Sequence, residues 1–376
     1  MIQISCIPYQ LPLSAPIKTS QVDMAHRDGS WVVLEMDGMY GVGDVATWPG
    51  FGSDPQKLNQ SLLTLPDRWD SARLRLSATF ENIRETPSEF IDAIRALGDF
   101  PELQAALEVA GLDLIARTLQ VPLAQLLAQM IHGGEPERSV ATHKQIKNLP
   151  EIDDGLAEGY ETFKLKVGYA EHWTMDATLL ARLVAAIPQG QQLCVDANRG
   201  WDHRAARAFS ICARAYEVAW LEEPLSSGSL ERHAKLGIDT QVRIGIDETV
   251  GPLWYQAKED VYTFIQNIPK GIHALTLKPL FLGGLLNTAT IAREVSEAGY
   301  QPCITHGFES SVGRNATSAL VGALTPIIPS IRAGLLGGPN DGICIEYPVK
   351  RGRVHVSDTI GVGKLRVEML EGRGSI

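Results

Sequence analysis

The sequence predicts an α/β protein: a (β/α)8-type, modified TIM barrel with an α+β capping domain made by the N-terminal segment and the C-terminal tail. From about Ser139 onward, short apolar runs alternate with helical stretches, the pattern of βα units in a parallel sheet. Eight such runs follow at nearly even spacing, the number and period of a barrel of roughly 250 residues. Five of the eight end in a charge, and the carboxyl ends of barrel strands are where active sites are built. A chain of 376 residues also exceeds one core, since single cores stop growing at roughly 250–300 residues. The expected division is residues 1–135 for the cap, 136–337 for the barrel and 338–376 for a segment returning to the cap.

The elements are read in order. Residues 2–11, 30–36 and 40–45 read as antiparallel strands, with a tight Asp37-Gly38 turn between the last two. Residues 55–69 and 86–97 read as helices that begin near Ser, Thr or Asp caps. Residues 101–130 carry Leu103, Leu107, Ala110, Leu114 and Leu119 at helical spacing, with Gly111 and Pro122 expected to divide the stretch. The barrel strands are expected at 140–143, 162–166, 193–196, 218–222, 243–247, 274–278, 302–305 and 331–336. The tail adds further strand and turn segments at 342–347, 352–356 and 361–363.

The bulk numbers narrow the function. A net charge of -10 argues against non-specific nucleic-acid binding, which needs a basic face. Residues 1–20 hold three prolines and no basic opening or continuous apolar core, so a secretory signal is not expected. The apolar stretch 318–338 is broken by Pro326, Pro329, Arg332 and glycines, which reads as buried helix and strand instead of a membrane span. The five cysteines are scattered, without a CxxC pair, and read as free thiols in a reducing cytoplasm.

Parallel barrel strands are buried on both faces and should be almost wholly apolar. Lys166, Asp196, Glu222, Asp247 and Lys278 stand against that rule at the ends of five strands. In the strand 162–166, Lys164 and Lys166 share one phase while Phe163 and Leu165 share the other, so both ammoniums point to one face. Three converging carboxylates repel unless a cation neutralises them, and an all-oxygen set suits Mg²⁺, with Mn²⁺ as a substitute. Such an ion leaves room for the carboxylate of a small substrate and stabilises the second charge that forms when the adjacent carbon loses a proton. Lys166 is the expected base and Lys164 the neighbour that lowers its pKa. Lys278, from the opposite wall, is expected as a second acid/base or a fixed cation.

Taken in order, the runs Lys164-Leu165-Lys166-Val167-Gly168, Asp196-Ala197-Asn198-Arg199-Gly200-Trp201, Glu222-Glu223-Pro224, Asp247-Glu248 and Lys278-Pro279 with Gly283-Gly284 resemble the enolase superfamily. Within it they resemble the muconate-lactonizing-enzyme-like subgroup, and the likeness covers essentially the whole chain. Narrower features are similar to the o-succinylbenzoate synthase family: Arg27-Asp28-Gly29, Gly43-Asp44-Val45-Ala46 leading to Trp48-Pro49-Gly50-Phe51, and Glu309-Ser310-Ser311-Val312-Gly313. This resemblance implies a hydro-lyase of menaquinone biosynthesis, in which a cyclohexadiene carboxylate loses a proton to Lys166 and then water. It also implies that the loops around Arg27 and around Trp48 to Phe51 cap the site and exclude water.

Single residues receive both readings. Glu223 reads as a structural salt bridge or loop hydrogen bond, and Glu248 as similar or as a contact to a lysine. Asn198 supports the metal or caps the next turn. His306 departs from the family pattern and reads as pocket-lining; backbone amides from Gly307 to Ser310, with Glu309 beside them, could hold the distal carboxylate. N-acylamino acid racemase chemistry would use the same two lysines and metal. A Schiff-base aldolase would use one lysine and no metal.

Overall fold

A computed structural model describes residues 2–18, 23–82, 84–169, 172–258, 260–366 and 368–371. Its first unit is a three-stranded antiparallel sheet of β1 (Gln3–Lys18), β2 (Asp23–Met36) and β3 (Met39–Val45), followed by helices α1 (Pro55–Glu81), α2 (Pro87–Arg95), α3 (Pro101–Leu119) and α4 (Leu123–His132). The sheet register runs from Gln3 opposite Glu35 to Lys18 opposite Asp23, and residues 37–38 form the expected turn. Asp54 caps α1 by accepting from the amides of Gln56 and Lys57. Pro122 divides α3 from α4 as expected, but Gly111 does not interrupt α3. A Cβ at Gly111 would lie 2.2 Å from the Ile94 side chain, so the glycine admits close packing of α2 instead of ending a helix.

The second unit follows β4 (Ser139–Ala141). Its strands are β5 (Lys144–Ile146), β6 (Thr162–Lys166), β7 (Gln192–Asp196), β8 (Leu221–Glu222), β9 (Ile244–Ile246), β10 (Ile272–Leu277), β11 (Gln301–Thr305) and β12 (Arg332–Gly334). They form one parallel sheet in sequence order. Between them lie α5 (Leu149–Ala157), α6 (Trp173–Val184), α7 (His203–Ala215), α8 (Leu230–Thr240), α9 (Val250–Gln256), α10 (Val261–Gln266) and α11 (Leu285–Glu297), with α12 (Ser311–Leu324) between β11 and β12. The outer-facing strand residues Phe163, Leu165, Val195, Leu275 and Ile304 are buried under these helices. The barrel is nearly closed: the His143 amide donates to the Ala333 carbonyl at 3.0 Å, joining the first strand to the eighth.

The first strand corrects the sequence reading. Val140 lies in β4, which pairs with β14 (Arg353–His355), itself paired with β13 (Val349–Lys350). The parallel pairing begins at Lys144, opposite Phe163. Segment 342–347 forms no strand; only Cys344 pairs, in a bridge to Leu365. Farther along, the tail lies against the cap. Leu123 donates to the Gly361 carbonyl, and the Val362 amide donates to Asp113. Residues 372–376, the end of the expected returning segment, lie outside the described residues. No helix among the described residues is long and apolar enough to cross a membrane.

Candidate active site

The carboxyl ends of the barrel strands open on a cavity under the capping domain. Lys164, Lys166, Asp196, Asn198, Asp247, Glu248 and Lys278 line it, together with Trp48 and Phe51 from the cap. Pairing register brings the charges side by side: Lys166 is opposite Asp196, Asp196 is opposite Glu222, and Glu222 is opposite Gly245. Asp247 stands two residues beyond Gly245 and faces the same way.

The charged groups engage one another. The Lys164 ammonium donates to Glu222 Oε1 at 2.8 Å and lies 3.0 Å from Asp196 Oδ2. Lys278 donates to Asp247. Glu222 Oε2 accepts from the Trp220 indole at 3.1 Å, and Asp196 Oδ1 accepts from the Asn198 amide at 3.0 Å. The Asn198 side chain accepts from the Tyr169 hydroxyl and donates to Glu248 Oε1, whereas Glu248 Oε2 is buried without a hydrogen-bond partner. Among the described residues, no three His, Cys, Asp or Glu side chains form a closed ligand cage. The carboxylates are drawn to ammoniums instead.

Burial disfavours every charge here, and neighbours decide the outcome. Burial opposes the Lys164 charge, but Asp196, Glu222 and Asp247 outweigh it and hold the ammonium well above the usual lysine range. Lys166 goes the other way: burial, with the ammoniums of Lys164 and Lys278, lowers it despite Asp196. Two lysines two residues apart are therefore split, one locked as a cation and one made easier to deprotonate. Asp196 is held low by Lys164 and Lys166 against its burial, whereas burial raises Glu222 and Asp247.

The expected substrate-contacting residues divide into two groups. Phe51, Asn198 and His306 line the cavity. Phe51 stacks on Phe281 with ring centroids 4.5 Å apart, and the Lys278 ammonium sits over its other neighbourhood at 4.3 Å from the ring centroid. Burial pushes His306 down to about 3, so it is a neutral imidazole, and its Nδ1 accepts from the Phe308 amide. Arg27, Gly307, Glu309 and Ser310 lie behind the cavity wall. Arg27 is 1% exposed and donates to the carbonyls of Thr47, Gly307 and Phe308 while resting on Trp48, so it ties the cap loop to the loop after β11.

The expected anion nest at residues 307–310 is corrected. Two of its four amides are already used, Phe308 donating to His306 and Ser310 to Asp44. Glu309 is buried against Gly313 and Asp44, with Oε2 unpartnered. Glu223 has the structural role expected of it, accepting from the amides of Asp247 and Thr249 and pairing with Arg199.

The sequence reading missed His143, Gln145, Tyr169, Thr305 and Leu336 as lining residues of this region. His143 and Gln145 were findable. They are in phase along the first strand, and an end placed at residue 143 hid that. Four non-glycine residues near these strand ends, Asn198, Arg199, Glu223 and Phe308, have φ between 39° and 60°, a costly backbone that clusters at functional sites.

Fold and site together define a barrel enzyme whose charged strand ends face a cap. A family model described as enolase C-terminal domain-like matches residues 150–365. The chain is 25% identical over 332 residues to an o-succinylbenzoate synthase of Edwardsiella ictaluri, covering 88% of this chain and 89% of that protein. Among solved structures it is similar to an N-succinyl Arg/Lys racemase from Bacillus cereus, with a TM-score of 0.77 at 18% identity over 99% of this chain and 97% of the other. It is also similar to a dipeptide epimerase from Methylococcus capsulatus complexed with Mg and a dipeptide, with a TM-score of 0.71 at 22% identity over 97% of this chain and 99% of the other. The chain belongs to the enolase superfamily and resembles o-succinylbenzoate synthase and the muconate-lactonizing-enzyme-like proteins.

Proposed function

We propose that this enzyme is an o-succinylbenzoate synthase: a hydro-lyase that removes a proton alpha to a carboxylate and then eliminates water. The observation that carries the reading is the pairing of Lys166 and Lys278 in one cavity, with Asp196 and Asp247 also lining it. Neutral Lys166 takes the proton. Proton and hydroxyl leave from one face of the ring, so the ammonium formed on Lys166 faces the departing hydroxyl and can return a proton to make water. Lys278, which donates to Asp247, stabilises the developing negative charge.

Asp196, Glu222 and Asp247 are the residues that would hold a divalent cation, Mg²⁺ first and Mn²⁺ as substitute. Their donors are all hard oxygens, and Glu248, whose Oε2 is buried without a partner, lines the same cavity. The cation, when bound, offsets the second negative charge that proton loss places on the substrate carboxylate.

A second cavity of about 760 Å³ shares Gln145, Lys166, Phe308 and Leu336 with the first. Leu13, Pro16 and Ile17 make its wall apolar, and Lys144 and Lys147 stand at its rim. An apolar annex with nearby cations fits the acyl tail and distal carboxylate of a succinyl substrate. It equally supports a second reading, N-acylamino acid racemase, in which Lys166 removes the proton and Lys278 returns one on the opposite face.

Two incubations test the assignment. With the cyclohexadiene carboxylate the enzyme should generate aromatic absorbance; with N-succinyl amino acids in D₂O a racemase would exchange the alpha hydrogen for deuterium. Exchange without aromatisation would replace the synthase by the racemase. Borohydride trapping with activity that survives EDTA would replace both by a Schiff-base enzyme.

A further inference from the structure

The opposite, amino-terminal mouth of the barrel holds a separate polar cavity, of about 350 Å³. Trp220, Arg243, His273, Gln301 and Arg332 line it from five positions in β8 to β12 and the segments leading into them, with Gln191 from the loop before β7. Apart from Trp220, whose indole reaches Glu222, none of these touches the site at the carboxyl ends.

Its charges are unusual. Arg243 and Arg332 line one concavity, and among the described residues no ion pair or hydrogen bond holds either guanidinium. Arg332 Nε is buried without an acceptor, and Gln191 Oε1 is buried without a donor. Arg243 is close enough to His273 to disfavour a third positive charge there, beyond the effect of burial. Glu217 is the carboxylate on the rim, on an exposed turn, and among the described residues it pairs with neither arginine. Like charges brought together in a cleft raise each other's energy unless a counter-charge joins them, and a guanidinium fork matches the paired oxygens of phosphate or carboxylate.

A Cβ at Gly245 would lie 2.5 Å from the Trp220 ring, so the glycine makes room for the indole inside the barrel. That indole donates upward to Glu222 and separates the two cavities.

We infer that the amino-terminal mouth of the barrel is a binding site for a small oxyanion, held by Arg243 and Arg332. The volume admits a phosphate monoester or a dicarboxylate, and the shared chemistry is a group of two or three anionic oxygens.

Isothermal titration of the full chain, free of divalent metal and at ionic strength fixed with chloride, tests this with inorganic phosphate and with succinate as probes. At least one probe should bind with one-to-one stoichiometry, and the stronger of the two identifies the source chemistry. Binding should be lost in R243Q/R332Q. Because Arg332 is partly buried, R243Q alone, at an exposed position, is the second variant; it should keep the native circular dichroism spectrum and bind roughly tenfold more weakly. No binding of either probe, or binding unchanged in R243Q, overturns the inference.

Discussion

The ammonium of Lys278 lies 4.3 Å from the centre of the Phe51 ring, so a capping-domain residue touches a barrel lysine directly. The same ring stacks on Phe281, with centroids 4.5 Å apart. Cap and barrel thus meet at the cation proposed to stabilise the reaction.

Phe51→Leu keeps the apolar volume and removes the ring face. A cation–π contact in a desolvated site contributes about 0.5–2 kcal/mol. The variant should fold normally by circular dichroism and lose roughly twofold to thirtyfold in kcat/KM. Unchanged kcat/KM would show that the contact is incidental.

The split between the two lysines of β6 sets a pH dependence. Lys166 must be neutral to accept a proton, so kcat/KM should rise with pH through a pKa below the ordinary lysine value of about 10.4. Lys164→Met removes a cation that lowers Lys166 and exposes it further to Asp196. The rising limb should therefore move to higher pH, as read from the pH profile of kcat/KM.

Glu309 predicts a stability effect away from the chemistry. Burial, reinforced by Asp44, pushes its carboxyl up to about 7 against its backbone hydrogen bonds and Arg27. The folded state therefore binds this proton more tightly than the unfolded chain. The stabilisation is complete below about pH 4.3 and is lost as pH rises to about 7. Glu309→Gln keeps the neutral form at every pH. Relative to wild type it should gain stability between pH 5 and 8, by at most about 3 kcal/mol in urea unfolding.

Removal of divalent cations should abolish turnover, with Mg²⁺ restoring it. Mg²⁺ should also protect the protein against thermal unfolding by an amount set by its concentration over Kd. Asp196→Asn and Glu222→Gln should each abolish that protection, as differential scanning fluorimetry would show.

Much of this was legible from the chain because a barrel writes its active site into period-two patterns. Lys164 and Lys166 share a phase, as do Gly245 and Asp247, and both pairs turn to the barrel interior as their phase requires. Long-range competition was not legible. The amides from Gly307 to Ser310 read as a vacant nest in sequence, but His306 claims that of Phe308 and Asp44, 266 residues away, claims that of Ser310. Arg27 likewise reads as a ligand-binding cation until the carbonyls of Thr47, Gly307 and Phe308 are brought to it. The first strand was misplaced because β4 pairs with β14, far along the tail, just before β5 enters the barrel.

The central claim is that Lys166 and Lys278 act on one substrate from two sides. Its most direct test is turnover of the cyclohexadiene carboxylate by Lys166→Gln and Lys278→Gln, each checked for native fold and Mg²⁺ binding. Loss of roughly a hundredfold to ten-thousandfold in kcat for both, with Mg²⁺ affinity retained, is the predicted result. Wild-type kcat in either variant would contradict the account.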